Sequence, residues 1–342
     1  LGETQYPDKD IEGYNPCLVG DSWVQTSIGP RMIKNILNQQ LNIVLDGNEY
    51  STTEKGFFYT GNRSVYKITT REGYIIEATP NHQFMTDEGW VALENLEIAD
   101  KLRLNKHENI KPWDGEGNYN EGYVVGHFIG DGTYNKNNAI LSCWGTNETK
   151  HIRDKLLGIV YELPGELSSS FRGWQYINDR NEYRLSCNKL TNLTYKYNLK
   201  QYHKTITDII EESSYEFYRG FIQGLFDTDG TVSSNKEKGC SIRLNQSDKQ
   251  MLIKVQRMLC RMGIRSTIYK RRNEGFRDLP DSNRDLKLYK CKSNYDLHIS
   301  KSGIEQFYNV INLCHSDKKT KLENIMSSYK RKISKQLEYG TI

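Results

Sequence analysis

The sequence lacks what would place it in a membrane, a secretory route or a zinc class. No apolar run approaches the ~20 residues that a membrane span requires, so a soluble chain without an anchor is expected. The first residues show no signal-peptide pattern, so none is expected. The seven cysteines, at 17, 143, 187, 240, 260, 291 and 314, are scattered singly without one Cys-x-x-Cys pair. That spacing speaks against a zinc site and against a disulfide framework, and it fits a reducing, cytoplasmic setting. The chain begins on Leu1 rather than Met and ends on Ile342 without a terminal signal, so a fragment of a longer polypeptide is expected.

What is present suffices for two domains of ordinary size: 342 residues, 36% of them hydrophobic and 26% charged. Net charge is only +4, but from Lys254 to Lys292 there are twelve Lys or Arg and four Asp or Glu. Releasing counterions from neutralised phosphates is the main source of nucleic-acid affinity, so this patch favours a polyanionic partner over a solvated helix face. Residues 17–105 carry short stretches, Ser22 to Thr26, Leu41 to Leu45, Gly56 to Tyr59, Ser64 to Thr69 and Tyr74 to Ala78, broken by Gly, Asn and Asp. The pattern predicts an all-β module with one short helix near Met32 to Leu37. Residues 106–120, polar and Gly-rich, read as a linker. From 121 to 328 helical periodicity appears over Glu121 to Ile129, Glu148 to Ile159, Tyr215 to Phe226 and Ser247 to Met262, so the chain reads as multi-domain, all-β and then α+β.

The second part repeats itself. VVGHFIGDG from Val124 and IQGLFDTDG from Ile222 open equivalent segments 98 residues apart, and EYRLSCNKL from Glu182 matches NYDLHISKS from Asn294 at an offset of 112. The 14 residues gained in the second copy fall in the charged loop around Glu274 to Asp285. Two copies of α-β-β-α-β-β-α predict a pseudo-dimer within one chain, related by an approximate twofold axis. Gly122, Gly126 and Gly130 fall four apart, as do Gly220 and Gly224, which lets one face of each helix approach the other closely. Asp131 and Asp229 then sit at helix C-termini, each before a Gly expected to adopt the left-handed cap. A carboxylate there meets the negative end of the helix dipole. If the axis runs between the helices, the two carboxylates converge, a conflict that a hard divalent cation resolves.

VVGHFIGDG and IQGLFDTDG resemble the two motifs of a monomeric LAGLIDADG homing endonuclease, over roughly residues 121 to 328. The resemblance implies that the metal-binding Asp, eighth in the motif, is Asp131 in one copy and Asp229 in the other. At the sixth position, where an acidic residue is usual, the copies have Ile129 and Asp227. It further implies a helix pair above two saddle-shaped antiparallel sheets lying in the DNA major groove, and Mg²⁺-dependent hydrolysis of both strands. A lysine beside each site belongs to the same pattern; Lys204 and Lys318 are the candidates, with Lys319 the alternative to the latter.

In the first part, CLVGDSWVQTSIGP from Cys17 and ATPNHQFMTDEGWVALENLEIADKL from Ala78 are similar to the N-terminal splicing blocks of an intein, whose all-β fold is the Hint domain. The resemblance implies that the Cys17 thiolate attacks the carbonyl of Pro16 in an N-S acyl shift. His82 would protonate the departing nitrogen, while Thr79 and Asn81 bond around the scissile peptide. Residues 1–16 would be the end of a host protein, and the YNP before Cys17 resembles a region of ribonucleotide reductases. An intein's last strands, second His and terminal His-Asn are absent; residues 329–342 read as the start of a return to the Hint domain. Truncation or a C-terminal split-intein fragment supplied in trans would account for this. The alternatives are an endonuclease with an inactive splicing module and an RNA-binding, maturase-like protein.

Overall fold

A computed structural model describes residues 16–105, 111–145, 147–235, 239–280, 285–300, 302–328 and 339–342. All of the expected host segment but Pro16, residues 106–110 of the expected linker, and 329–338 lie outside the described residues. Backbone contacts divide the chain into two compact units. Among the described residues, the first holds 16–114, 261–263 and 339–342, and the second holds 115–260 and 264–328.

The first unit is built of hairpins. Asp46 and Gly47 both take positive φ, 49° and 82°, a pair that turns Asn42–Leu45 back onto Asn48–Ser51 in the hand that a two-residue turn requires. Trp23–Thr26 and Gly29–Met32 form a second hairpin, and the four strands run in the order 29–32, 23–26, 42–45, 48–51. A second sheet orders Tyr339–Thr341, Lys101–Arg103, Gln83–Thr86 and Gly89–Ala92, while Tyr66–Thr69 and Ile75–Ala78 pair alone. Two expectations fail here. The helix near 32–37 is a single 3-10 turn, Ile33–Asn35, and Gly56 to Tyr59 forms isolated bridges from Leu37 to Gly56 and Phe57 rather than a strand. The linker reading fails in part as well: Trp113 is buried, and its indole covers Gly29, whose φ of 96° and lack of a Cβ leave room for the ring. A large apolar ring gains more from burial than a linker gains from freedom.

The second unit shows the expected αββαββα order twice. In the first copy, helix Tyr119–Asp131 leads to strands Gly132–Asn135 and Asn138–Trp144, helix Lys150–Glu162, strands Gln175–Ile177 and Glu182–Ser186, and helix Asn188–Lys196. The second copy runs from helix Tyr215–Thr228 through strands Gly230–Asn235 and Gly239–Gln246, helix Lys249–Arg261, and strands Thr267–Arg272 and Asn294–Ser300 to helix Ser302–Val310. Each sheet is antiparallel with the first motif strand at its edge, and the registers correspond: Gly132 faces Leu141 and Leu141 faces Leu185, as Gly230 faces Leu244 and Leu244 faces Leu297. Each motif helix starts on a side-chain cap. The Asn118 Oδ1 accepts the Glu121 N–H at 3.0 Å, and the Ser214 Oγ accepts the Phe217 N–H at 3.1 Å.

The described residues of the charged insert include strands rather than a loop throughout; 281–284 lie outside the described residues. Gly275–Pro280 and Leu286–Cys291 pair as a two-stranded ribbon in which Phe276, Leu286 and Leu288 are exposed. The basic patch is also divided. Lys254 donates to the Ile206 carbonyl, Arg257 makes a double contact with the buried Glu211, at 2.9 and 2.6 Å, and Arg265 reaches the Cys260 sulfur. Lys270, Arg271, Arg277, Lys287, Lys290 and Lys292 remain exposed. Helix Lys249–Arg261 therefore spends its cations on internal acceptors, and only the hairpin side of the patch is open to a polyanion.

Candidate active sites

The glycines of the two motif helices hold them at close quarters. A Cβ on Gly122 or Gly126 would overlap the carbonyl oxygen of Phe217 or Phe221, and one on Gly220 or Gly224 would overlap that of Tyr119 or Tyr123. These contacts exchange under the 98-residue offset: Gly122 on Phe217 becomes Gly220 on Tyr119, and Gly126 on Phe221 becomes Gly224 on Tyr123. The same patch of each helix thus meets the same patch of the other, the self-complementary pattern of a twofold interface.

Just past this seam the first helix ends on Asp131, and Asp229 caps the second. The following glycines are not the left-handed caps expected. Gly132 has φ −88° and ψ 163°, and Gly230 is not among the residues with positive φ; both open strands directly. Their lack of a side chain matters for space instead, since a Cβ would strike the Phe128 ring and carbonyl in one copy and the Phe226 carbonyl in the other. Burial and the Asp229 charge push the Asp131 carboxyl up to about 7, against the opposing pull of Lys318 and Lys204. Asp229 is raised too, by burial, although Gln246 Nε2 donates to its Oδ2 at 2.6 Å.

The lysines answer the dipole conflict. Lys204 Nζ donates to the carbonyls of Gly130 and Gly132, at 2.9 and 2.8 Å, and Lys318 Nζ to those of Phe226, Asp227 and Thr228, at 3.1, 2.7 and 2.7 Å. Each cation sits on the last turn of a motif helix, where the carbonyls carry partial negative charge. Burial lowers both ammonium pKa values, and the aspartates oppose that shift. Lys318 is half-buried here, whereas Lys319 is exposed. Among the described residues, no three of His, Cys, Asp and Glu gather to hold a metal ion. Two half-buried carboxylates that repel each other nevertheless suit a hard divalent cation completing its shell from water, backbone carbonyls and phosphate oxygens.

Asp227 has a role that the sequence did not disclose. Its buried carboxylate accepts the N–H groups of Cys314 and His315, at 2.8 and 2.9 Å, and the Tyr123 hydroxyl at 2.9 Å. It thereby anchors the segment that leads into helix Ser316–Ser328, which carries Lys318. Ile129, the corresponding residue of the first copy, offers no such acceptor, so the two lysines are placed by different means.

In the first unit the structure brings Cys17, Thr79 and Asn81 together. The Cys17 N–H donates to Thr79 Oγ1 at 2.9 Å, the Cys17 carbonyl accepts the Thr79 N–H at 3.0 Å, and the Thr79 hydroxyl donates to Asn81 Oδ1 at 2.8 Å. Asn81 therefore bonds to Thr79, which in turn holds the nitrogen of the Pro16-Cys17 peptide. The His82 N–H closes a turn onto the Thr79 carbonyl at 3.0 Å, placing the imidazole one turn from the clamp. Burial lowers the His82 pKa, and its Nδ1 is buried with no hydrogen-bond partner among the described residues. One neighbour escaped the sequence reading: Thr60 Oγ1 lies 3.1 Å from the Cys17 sulfur, 43 residues along the chain, with no local pattern to mark it.

Comparisons with known proteins give the following likenesses. The LAGLIDADG-like domain family matches residues 216–312. The ribonucleoside-diphosphate reductase NrdEB subunit alpha of Bacillus subtilis is 24% identical over 89% of this chain, which spans only 30% of that relative's length. A variant of the homing endonuclease I-DmoI, solved with its target DNA and manganese, is 21% identical over 56% of this chain and 94% of its own, with a TM-score of 0.38. A DnaB mini-intein variant is 28% identical over 27% of this chain and 61% of its own, with a TM-score of 0.25. Residues 216–312 thus match the LAGLIDADG-like domain family, and over most of its length the chain is similar to part of a ribonucleoside-diphosphate reductase subunit.

Proposed function

We propose that the chain is a metal-dependent endonuclease for double-stranded DNA, carried inside an intein's splicing frame and acting in the cytoplasm. The observation that carries this reading is the shared site of Asp131 and Asp229, where one carboxyl is pushed up to about 7 beside the other and lysines flank both. The assignment is a host segment at 1–16, an N-terminal Hint region at 17–105, a connection at 106–120 in which Trp113 is buried and whose last two residues begin the motif helix, the endonuclease at 121–328 and a returning segment at 329–342. The pairing of Tyr339–Thr341 with Lys101–Arg103 supports the return.

Asp131 and Asp229 would hold the cation, Mg²⁺ or another hard divalent ion. When bound, such an ion supplies Lewis-acid chemistry at a phosphate and lowers the pKa of an attacking water. Lys204 and Lys318 keep positive charge beside each reacting phosphate and rigidify the helix ends that present the carboxylates. In the splicing frame, Thr79 fixes the plane of the Pro16-Cys17 peptide, the Cys17 thiolate attacks the Pro16 carbonyl, and His82 returns a proton to the nitrogen.

Two experiments test the two activities. Plasmids carrying randomised inserts, incubated with the protein and Mg²⁺, should yield a cleaved subset, and Asp131→Asn and Asp229→Asn should each reduce double-strand cleavage at least a hundredfold. No cleaved subset would remove the endonuclease reading. Dithiothreitol should release residues 1–16 from the wild-type chain but not from Cys17→Ala. Absent release from a folded protein would leave an endonuclease with an inactive splicing module, a reading that Pro16, before the nucleophile, favours. An RNA-binding, maturase-like role would require neither the Asp131 and Asp229 pair nor the Cys17 clamp.

A further inference from the structure

We propose that Thr60 is a positioning residue for the acyl shift: its hydroxyl holds the Cys17 sulfur and donates to the thiolate, an inference that rests on the splicing reading of the first unit. Cys17 Sγ and Thr60 Oγ1 are 3.1 Å apart, close enough to share a proton. The backbone of Cys17 is already fixed on both sides, its N–H by Thr79 Oγ1 and its carbonyl by the Thr79 N–H. The thiol turns about its own side-chain bond, and Thr60 touches the end of that rotor. Thr79 is poorly placed to serve the sulfur as well. A hydroxyl has one proton to give, and that of Thr79 goes to Asn81.

The segment that presents Thr60 is shaped for the purpose. Tyr59 donates its hydroxyl to Asn62 Oδ1 at 2.9 Å, and Gly61 takes φ 101°, a conformation that favours glycine and bends the chain directly after Thr60. Thr60 itself is half-buried, so its contact with sulfur is shielded in part from competing water.

The nucleophile is the thiolate, and a neutral hydroxyl donor stabilises it without introducing a base. In the step the thiol proton passes to water and the sulfur bonds to the Pro16 carbonyl carbon. The bond from that carbon to the Cys17 nitrogen breaks, and the nitrogen takes up a proton to leave a thioester and a free amine. Thr60 gains and loses nothing over the cycle; it lowers the cost of the charged sulfur and aims it.

The test is the pH dependence of iodoacetamide alkylation at Cys17, resolved from the other six cysteines by peptide mass spectrometry, in full-length wild type, Thr60→Val and Thr60→Ser. Release of residues 1–16 by dithiothreitol is followed in parallel. Thr60→Val should move the alkylation midpoint to higher pH and slow both alkylation at pH 7 and release by about three- to tenfold. Thr60→Ser should restore both. Identical midpoints in wild type and Thr60→Val, with thermal melting unchanged, overturn the proposal, as does a loss that serine fails to rescue. A shifted midpoint restored by serine, with no release from any of the three proteins, supports the contact and counts against the splicing reading instead.

Discussion

Burial and Asp229 hold the Asp131 carboxyl near 7, whereas an aspartate in the unfolded chain titrates near ~3.9. Between those values the native state binds the extra proton, so the contribution of Asp131 to stability falls as pH rises through that window and stays low above it. Asp131→Asn should therefore melt higher than wild type at pH 8, by about 2–4 °C for each kcal/mol of relieved desolvation and repulsion, and match it near pH 4. A difference that did not change with pH would show that neither burial nor Asp229 raises the Asp131 carboxyl. At this scale the sequence offers candidates wherever a residue sits in a motif: Asp131, Asp229, Cys17, Thr79 and His82 are all proposed from it. The anchoring role of Asp227, the contact of Thr60 and the carbonyl contacts of Lys204 and Lys318 could not be. Their partners lie from 43 to 104 residues away, and no local spacing encodes such a meeting.

The two motif helices show why one element was easy to read and another was not. Their glycines fall four apart, so a single face could be read directly from the sequence, and the structure uses that face for backbone contact. Gly126→Ala should consequently cost more than 3 kcal/mol or prevent folding, because its new Cβ would occupy the space of the Phe221 carbonyl. Gly158→Ala, in helix Lys150–Glu162, meets nothing within 4 Å and should stabilise by about 0.5–1 kcal/mol. Equal effects on thermal melting would refute the close packing of the pair. The ribbon Gly275–Pro280 with Leu286–Cys291 was misread as a loop because its strands interleave Asp, Arg and Lys with Phe, Leu and Tyr, so neither face is uniformly apolar. The short strands Gly29–Met32, Asn48–Ser51 and Gly89–Ala92 were missed for a related reason: four residues with only one or two large apolar side chains show no alternation, and their hairpin partners supply the pairing.

At the scale of the whole chain, net charge misleads where its distribution does not. Of the basic stretch from Lys254 to Lys292, the helical part is spent on Glu211 and on internal carbonyl and sulfur acceptors, and the hairpin part faces solvent. Removing Lys287 and Lys290 together should reduce the slope of log affinity against log salt for a generic duplex by roughly 2, at about 0.9 for each lost phosphate contact. Removing Lys254 should leave that slope unchanged, and a salt titration by fluorescence anisotropy separates the cases. Domain order was readable because periodicity changes from strand-like to helical near residue 120. The return of the chain to its first sheet was readable only as an expectation, since three residues at 339–341 carry almost no pattern of their own.

That return also sets an order of events. Ribosomes add about 5–20 residues per second, so strand Lys101–Arg103 is made roughly 10–50 s before the segment that pairs with it at Tyr339–Thr341. Throughout that interval the sheet of Lys101–Arg103 is one strand short, while every residue of both motif helices and of the two sheets that follow them is synthesised. Translation alone thus delivers the complete second unit before the first can close, and any chemistry that depends on the closed sheet waits for the insert to be born.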